Sequence, residues 1–176
     1  MAIKSKISPV SEADKEKYLD IAKTKAAKFG VPLKVVAGVI AQESRFDPRS
    51  YRWDENRAAD RSFGLMQLTI PTAQEMADKL YGRGKVAITP GVLYNPTNNI
   101  ELGTYYLRQQ YDRFGRDWSN AVSAYNAGRP ISGNVGTYVA KVFTKGSMLA
   151  GPIGLISILI GGAIAWIIYR RMEKGI

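Results

Sequence analysis

One glutamate stands where a polar side chain is least expected. Val36, Val39 and Ile40 recur at helical spacing, and Glu43 follows them seven, four and three residues later, so it projects from the same apolar stripe. Burial disfavours the ionised form of a carboxyl group, and a carboxylic acid still protonated near neutral pH is what general acid catalysis requires. The plainer alternative is a last-turn glutamate that swings out to solvent or pairs with Arg45 or Arg49. Composition narrows the chemistry further. The chain has no histidine and no cysteine, which removes imidazole bases, thiol nucleophiles, disulfides and Cys/His metal sites. Carboxylates, tyrosines and lysines are left for proton transfer, with no metal and no cofactor expected.

The elements that must position this group read as helices. Ser11 and Asp14 form a capping signal, and Tyr18, Ile21, Ala22, Lys25 and Phe29 keep a helical period until Gly30. A second helix starts at Pro32 and runs toward Ser44. Phe46 to Ser62, rich in Asp, Arg and Asn, reads as loop, and Phe63 to Ile70 as a short extended segment. Another helix follows Pro71 through Ala73, Met76, Ala77 and Leu80. From Asn98, Ile100, Gly103, Leu107, Tyr111 and Phe114 share a face until Gly115. Trp118, Ala121, Val122 and Tyr125 mark a helix capped by Asp117 and ended near Gly128. The spacing predicts a mainly α domain with a small loop-rich or short β lobe.

At 176 residues and 45% apolar content, the chain suits one domain with a short appendage. Its formal charge of +10 suggests an anionic partner. No helix carries the basic-aromatic stripe of a nucleic-acid reader, so no specific nucleic acid is expected. From Gly146 to Tyr169 no charge occurs, and Leu149 to Tyr169 is long enough to span a bilayer as a C-terminal transmembrane helix. Lys141 and Lys145 flank it on one side and Arg170, Arg171 and Lys174 on the other, with Trp166 and Tyr169 at the expected aromatic belt. The alternative is a buried apolar hairpin broken at Pro152. The division expected is a domain over residues 1–145 and an anchor with a basic tail over 146–176, which makes the lipid membrane a partner through residues 149–169. The N-terminal MAIKSKISPVSEADKEK lacks the apolar core of a secretory signal.

Around Glu43 the sequence continues Ser44-Arg45-Phe46-Asp47. Farther on come Ser62-Phe63-Gly64-Leu65-Met66-Gln67, then Asn95-Pro96 with Asn99-Ile100, Gly103 and Tyr106-Leu107. Ala124-Tyr125-Asn126-Ala127-Gly128 and Tyr138-Val139 close the series. In this order, over Tyr18 to Phe143, the chain resembles the lytic transglycosylases of the soluble (SLT) type. These are relatives of goose-type lysozyme that cleave peptidoglycan glycan strands.

The resemblance implies a lysozyme-like helical fold and a single catalytic glutamate at Glu43. That residue would protonate the glycosidic oxygen between N-acetylmuramic acid and N-acetylglucosamine and later act as base. The substrate's N-acetyl group would stabilise the developing positive charge, and the muramic 6-hydroxyl would close a 1,6-anhydro ring. A second carboxylate is then unnecessary. Asp47, Asp54, Glu55 and Asp60 are the nearest in sequence, and none belongs to a family motif. Ser44 would contact the substrate acetamide, or merely cap its helix. Gly64 would admit a sugar close to main chain, while Met66 and Gln67 would line the cleft as apolar wall and polar hook, with a core position the alternative for Met66. Asn126 would touch ligand, with Tyr125 beside it or only packing its ring. Tyr138 would hydrogen-bond near Glu43, or be an ordinary aromatic of the last helix. Asp54 to Arg61 has no family role and reads as a cleft rim or a partner contact.

The expected activity is lytic transglycosylation. The rivals are a hydrolysing muramidase and a catalytically silent wall-binding component of an envelope-spanning machine. An anchor without an export signal suggests a virion-associated bacteriophage enzyme, carried with an internal membrane, acting on the host periplasm or cell wall and opening a local hole during genome entry. A tail-anchored part of a conjugation or envelope apparatus is the second possibility, with other virion or machine proteins as partners.

Overall fold

The structure is a computed structural model that describes residues 10–53, 61–131 and 137–151. Helix α1, Glu12–Phe29, opens with the Ser11 side chain accepting from the Asp14 N–H at 3.1 Å and closes at Gly30 in the left-handed conformation. Helix α2, Leu33–Glu43, enters from Pro32. Its residues Val35 to Ile40 are all buried, so α2 is a central helix enclosed on every side. A small antiparallel sheet follows, made of β1 (Tyr51–Arg52), β2 (Ser62–Phe63) and β3 (Leu68–Thr69) in that order. Tyr51 lies opposite Phe63, and Phe63 opposite Leu68.

The chain then continues through α3 (Ile70–Tyr81), α4 (Pro90–Tyr94), α5 (Pro96–Arg113), α6 (Trp118–Ala127) and α7 (Tyr138–Ala150). Helix α4 falls where the sequence pattern marks no element; Thr89 caps it and Pro90 occupies its first turn, a start signal too brief for periodicity to register. Two apolar clusters result. The larger surrounds α2 and takes in Leu65, Met66, Ile100, Leu107, Val122, Val139 and Val142. The smaller joins the sheet to α3, α4 and α5 through Phe63, Leu68, Met76, Leu93 and Leu102. Tyr125 packs against both, so the seam between the lobes passes beside α6.

Helices α2 and α7 run antiparallel at backbone contact. A Cβ on Gly38 would lie 2.1 Å from the Val142 carbonyl oxygen, and one on Gly146 only 1.8 Å from that of Lys34. Glycine at both positions lets the axes approach this closely. The same register sets the first residue of α7, Tyr138, opposite the last residue of α2, Glu43. On the far side, Glu101 of α5 is clamped by Lys25 and Lys28 of α1 at 2.7 and 2.5 Å.

The expected C-terminal transmembrane helix is corrected here. Among the described residues, no helix is long and apolar enough to cross a membrane. Leu149 and Ala150, placed at the start of the span by their hydropathy, instead complete α7, which Gly151 ends. Val142 and Gly146 are buried in this helix, with Gly146 lying against α2, so the boundary expected between residues 145 and 146 falls inside an element of the domain. At the start of the uncharged run, Gly146 packs on α2 and Leu149 lies partly buried against the larger cluster, while Met148 between them is exposed. The remainder of the expected span, residues 152–169, lies outside the described residues.

Candidate active site

The C-terminus of α2 is where main chain and side chains converge. The Ser44 hydroxyl bonds back to the Ile40 carbonyl at 3.1 Å, closing the last turn of α2. Arg45 and Phe46 follow with φ of 54° and 67°, a pair of left-handed residues without glycine. This sharp reversal buries Phe46 while leaving Arg45 exposed. The Glu43 side chain is only 7% accessible.

The two oxygens of Glu43 have different neighbours. Oε1 accepts a 2.5 Å hydrogen bond from the Tyr138 hydroxyl. Oε2 faces Nη2 of Arg52 at 3.4 Å, long for a charge-assisted bond. Among the described residues, the cation beside Glu43 is thus neither Arg45 nor Arg49 but Arg52, the last residue of β1. Burial, followed by the Glu43 charge and the hydrogen bond, pushes the Tyr138 hydroxyl far above its ordinary range. Tyr138 therefore keeps its proton and serves as a donor. Burial also raises Tyr125, with the charge of Glu43 adding to the effect, and its hydroxyl donates to the Met66 carbonyl at 2.7 Å.

The turn joining β2 to β3 forms the opposite wall. Gly64 has φ of 77°, and a Cβ there would meet the Leu93 carbonyl oxygen at 2.3 Å and Asn99 Nδ2 at 2.4 Å. The close approach that requires glycine is thus to the protein's own Asn99. That fully buried amide donates to the Phe63 and Leu93 carbonyls at 2.8 and 2.9 Å and accepts from the Met66 N–H at 2.7 Å. Met66 is itself fully buried, its side chain lying over Gly103. Gln67, at φ of 49°, accepts from the Ser62 hydroxyl and donates to the Ser50 and Gly64 carbonyls. Its amide fastens the turn to the segment carrying β1. Asn126 is exposed near the end of α6, with the Tyr125 ring beside it against Tyr106 at 5.2 Å.

The structure therefore brings Glu43, Tyr138 and Tyr125 together, sets Gly64, Met66 and Gln67 in the supporting wall, and leaves Asn126 on the surface. Among the described residues, no second carboxylate is bonded to Glu43 or to its two partners; Asp47 accepts from the Arg49 N–H within a local turn. Glu43 is thus a partly enclosed acid with Tyr138 on one oxygen and Arg52 facing the other, an arrangement with the groups that proton transfer needs.

The Transglycosylase SLT domain matches residues 20–147 of the sequence. This chain belongs to the SLT family. The SLT match runs from within α1 to within α7 and includes every residue of the site just described. A membrane-bound lytic murein transglycosylase C of Haemophilus influenzae is 31% identical over 124 residues, 66% of this chain and 33% of that protein. The Yersinia pestis protein of the same name is 28% identical over 160 residues, 90% of this chain and 42% of its own length. The SLT chain thus spans between a third and a half of these relatives. Among solved structures, the 70-kDa soluble lytic transglycosylase of Escherichia coli is 25% identical with a TM-score of 0.55, over 90% of this chain and 24% of that one. A complex of the 70-kDa soluble lytic transglycosylase with bulgecin A gives 26% identity and the same TM-score over 73% and 20%.

Two residues of this SLT site escape motif reading. Arg52 falls in a segment that reads from sequence as loop, whose many charges carry no periodic signal, though the structure places it in β1. Asn99 lies within a quoted motif, but its polar type suggested no core position; its two-sided bonding to β2 and α4 emerges only once three segments meet. Of the charged segment from Asp54 to Arg61, residues 54–60 lie outside the described residues, and Arg61 rests over the Trp53 ring at 5.7 Å.

Proposed function

We propose that this chain is a peptidoglycan lytic transglycosylase that cleaves the β-1,4 bond between N-acetylmuramic acid and N-acetylglucosamine. Glu43, in its acid form, protonates the leaving glycosidic oxygen as the carbon–oxygen bond breaks. The carboxylate so formed then takes the proton of the muramic 6-hydroxyl while that oxygen closes the 1,6-anhydro ring. Proton and bond counts balance without water. Tyr138 holds Oε1 throughout and offers a hydrogen bond to whatever charge Glu43 carries.

The observation that carries this reading is the lone acid: Glu43 sits at 7% exposure with Tyr138 on one oxygen and no second carboxylate bonded into its site among the described residues. Retaining and inverting glycosidases commonly place a second carboxyl group across the bond. The family membership and the names of the relatives support the same chemistry. A net charge of +10 favours approach to an anionic wall polymer. Delivery by a virion rests on the sequence reading of residues 1–17 and 146–176, of which 1–9 and 152–176 lie outside the described residues.

Digestion of purified peptidoglycan followed by mass spectrometry tests the reading. Transglycosylation leaves 1,6-anhydro ends one water lighter than the reducing ends left by a muramidase, and a silent binding module releases no fragments. Bulgecin A, bound by the similar 70-kDa enzyme, is expected to occupy the Glu43 cleft and slow the release.

A further inference from the structure

Glu43 presents its two oxygens unequally, and the inequality bears on which one can deliver a proton. Oε1 is occupied by a tyrosine hydroxyl that remains protonated. With Oε1 held by Tyr138, Oε2 is the oxygen left to present the proton to the leaving group, and its neighbour is Nη2 of Arg52. A guanidinium has donors only and can accept nothing from a carboxylic acid. While Arg52 points at Oε2, the site is arranged for a carboxylate and the donating oxygen is covered. Proton donation thus requires Arg52 to move.

Arg52 is built to move. Its side chain is 62% exposed, and its hydrogen bonding among the described residues is the single 3.4 Å contact to Glu43. Its chain neighbours Tyr51 and Trp53 are 45% and 52% exposed, so they do not wall the guanidinium in. A guanidinium leaving one carboxylate is best received by another, which it grips through paired N–H donors. Peptidoglycan supplies such groups next to the scissile bond. Muramic acid carries a lactyl ether that ends in a carboxylate on peptide-free strands, and stem peptides carry carboxylates where they are present.

We propose that Arg52 is a receptor for a substrate carboxylate, and that engaging this carboxylate draws the guanidinium off Oε2 and uncovers the proton donor. The proposal rests on the lytic reading above and adds to it a substrate-specificity residue that also opens the site.

The test compares four glycan preparations with the full chain and with Arg52→Gln and Arg52→Lys. These are peptide-bearing strands, amidase-stripped strands, and each of the two with its carboxylates converted to neutral methylamides. For the wild type, KM on the neutralised form of at least one pair is expected to be about tenfold higher than on its native form. The pair that responds identifies the lactyl or the peptide carboxylate as the group recognised. In Arg52→Gln the ratio should fall to near one, while Arg52→Lys, a point charge without the paired geometry, should keep part of it. Thermal melts matching the wild type would show that both variants are folded. Equal KM for native and neutralised strands in the wild type overturns the proposal while leaving the lytic reading intact, as does an undiminished ratio in Arg52→Gln. Wild-type failure to release fragments from any strand overturns the lytic reading and this inference with it.

Discussion

At the scale of single residues, Glu43 and Tyr138 form a unit in which one supplies the proton and the other fixes the carboxyl group. Glu43→Gln keeps the size and the bond from Tyr138 but carries no transferable proton. Fragment release from peptidoglycan is expected to fall by at least about a hundredfold with an unchanged melting curve. Tyr138→Phe is subtler. It strips the donor from an oxygen of a side chain only 7% exposed, so kcat is expected to drop by about tenfold or more and stability by about 1–3 kcal/mol. Steady-state kinetics with a chemical-denaturation curve separates the two effects; a variant with wild-type kcat would remove Tyr138 from the chemistry.

At the scale of elements, the site depends on the antiparallel contact of α2 with α7. Gly146→Ala places a methyl group where the Lys34 carbonyl oxygen would be 1.8 Å away, and a helix backbone cannot yield as a side-chain tip can. The helices must separate, at a cost of about 1–3 kcal/mol, and the separation lifts Tyr138 from Glu43. The expected result is a lower melting temperature together with a lower kcat. Gly91→Ala serves as the control, because its Cβ would meet nothing nearer than the Thr89 hydroxyl oxygen at 3.7 Å. Asn99 does for the second wall what the glycines do for the first. One buried amide ties β2, the turn holding Met66, and the end of α4.

At the scale of the whole molecule, the clamp of Lys25 and Lys28 on Glu101 joins the first helix to the fifth and gives the fold an acid-sensitive joint. Desolvation acts to raise the Glu101 carboxyl, but the hydrogen bonds and charges of the two lysines outweigh it, and the net direction is downward from 4.5. A carboxylate lowered on folding contributes stability that is complete above its unfolded value and fades as pH falls through the folded one. Wild-type melting temperature is therefore expected to decline below about pH 4.5. Glu101→Gln should be less stable at neutral pH, where Lys25 and Lys28 lose their partner, and should show a shallower decline in the acid range. Calorimetry from pH 7 to pH 3 measures both; identical slopes would show that other carboxylates dominate.

Local chemistry made much of this legible before any tertiary contact was known. Ser11, Gly30, Asp117 and Gly128 end their helices as short-range capping rules require, and the stripe of α2 points Glu43 inward, because these signals act among near neighbours along the chain. What the tertiary structure alone decided was partnership. Arg45 and Arg49 are nearer to Glu43 in sequence, yet Arg52 meets it, since a turn through two left-handed residues and a short strand set the direction of approach. Gly64, Met66 and Gln67 carry a family motif, yet their close contacts and hydrogen bonds are to the protein's own backbone and side chains, a distinction that residue type does not encode. The uncharged residues that open the C-terminal run read as membrane-spanning because hydropathy is the same toward lipid as toward protein. The facing glycines of α2 and α7 show that Gly146, at the start of that run, is packed against another helix.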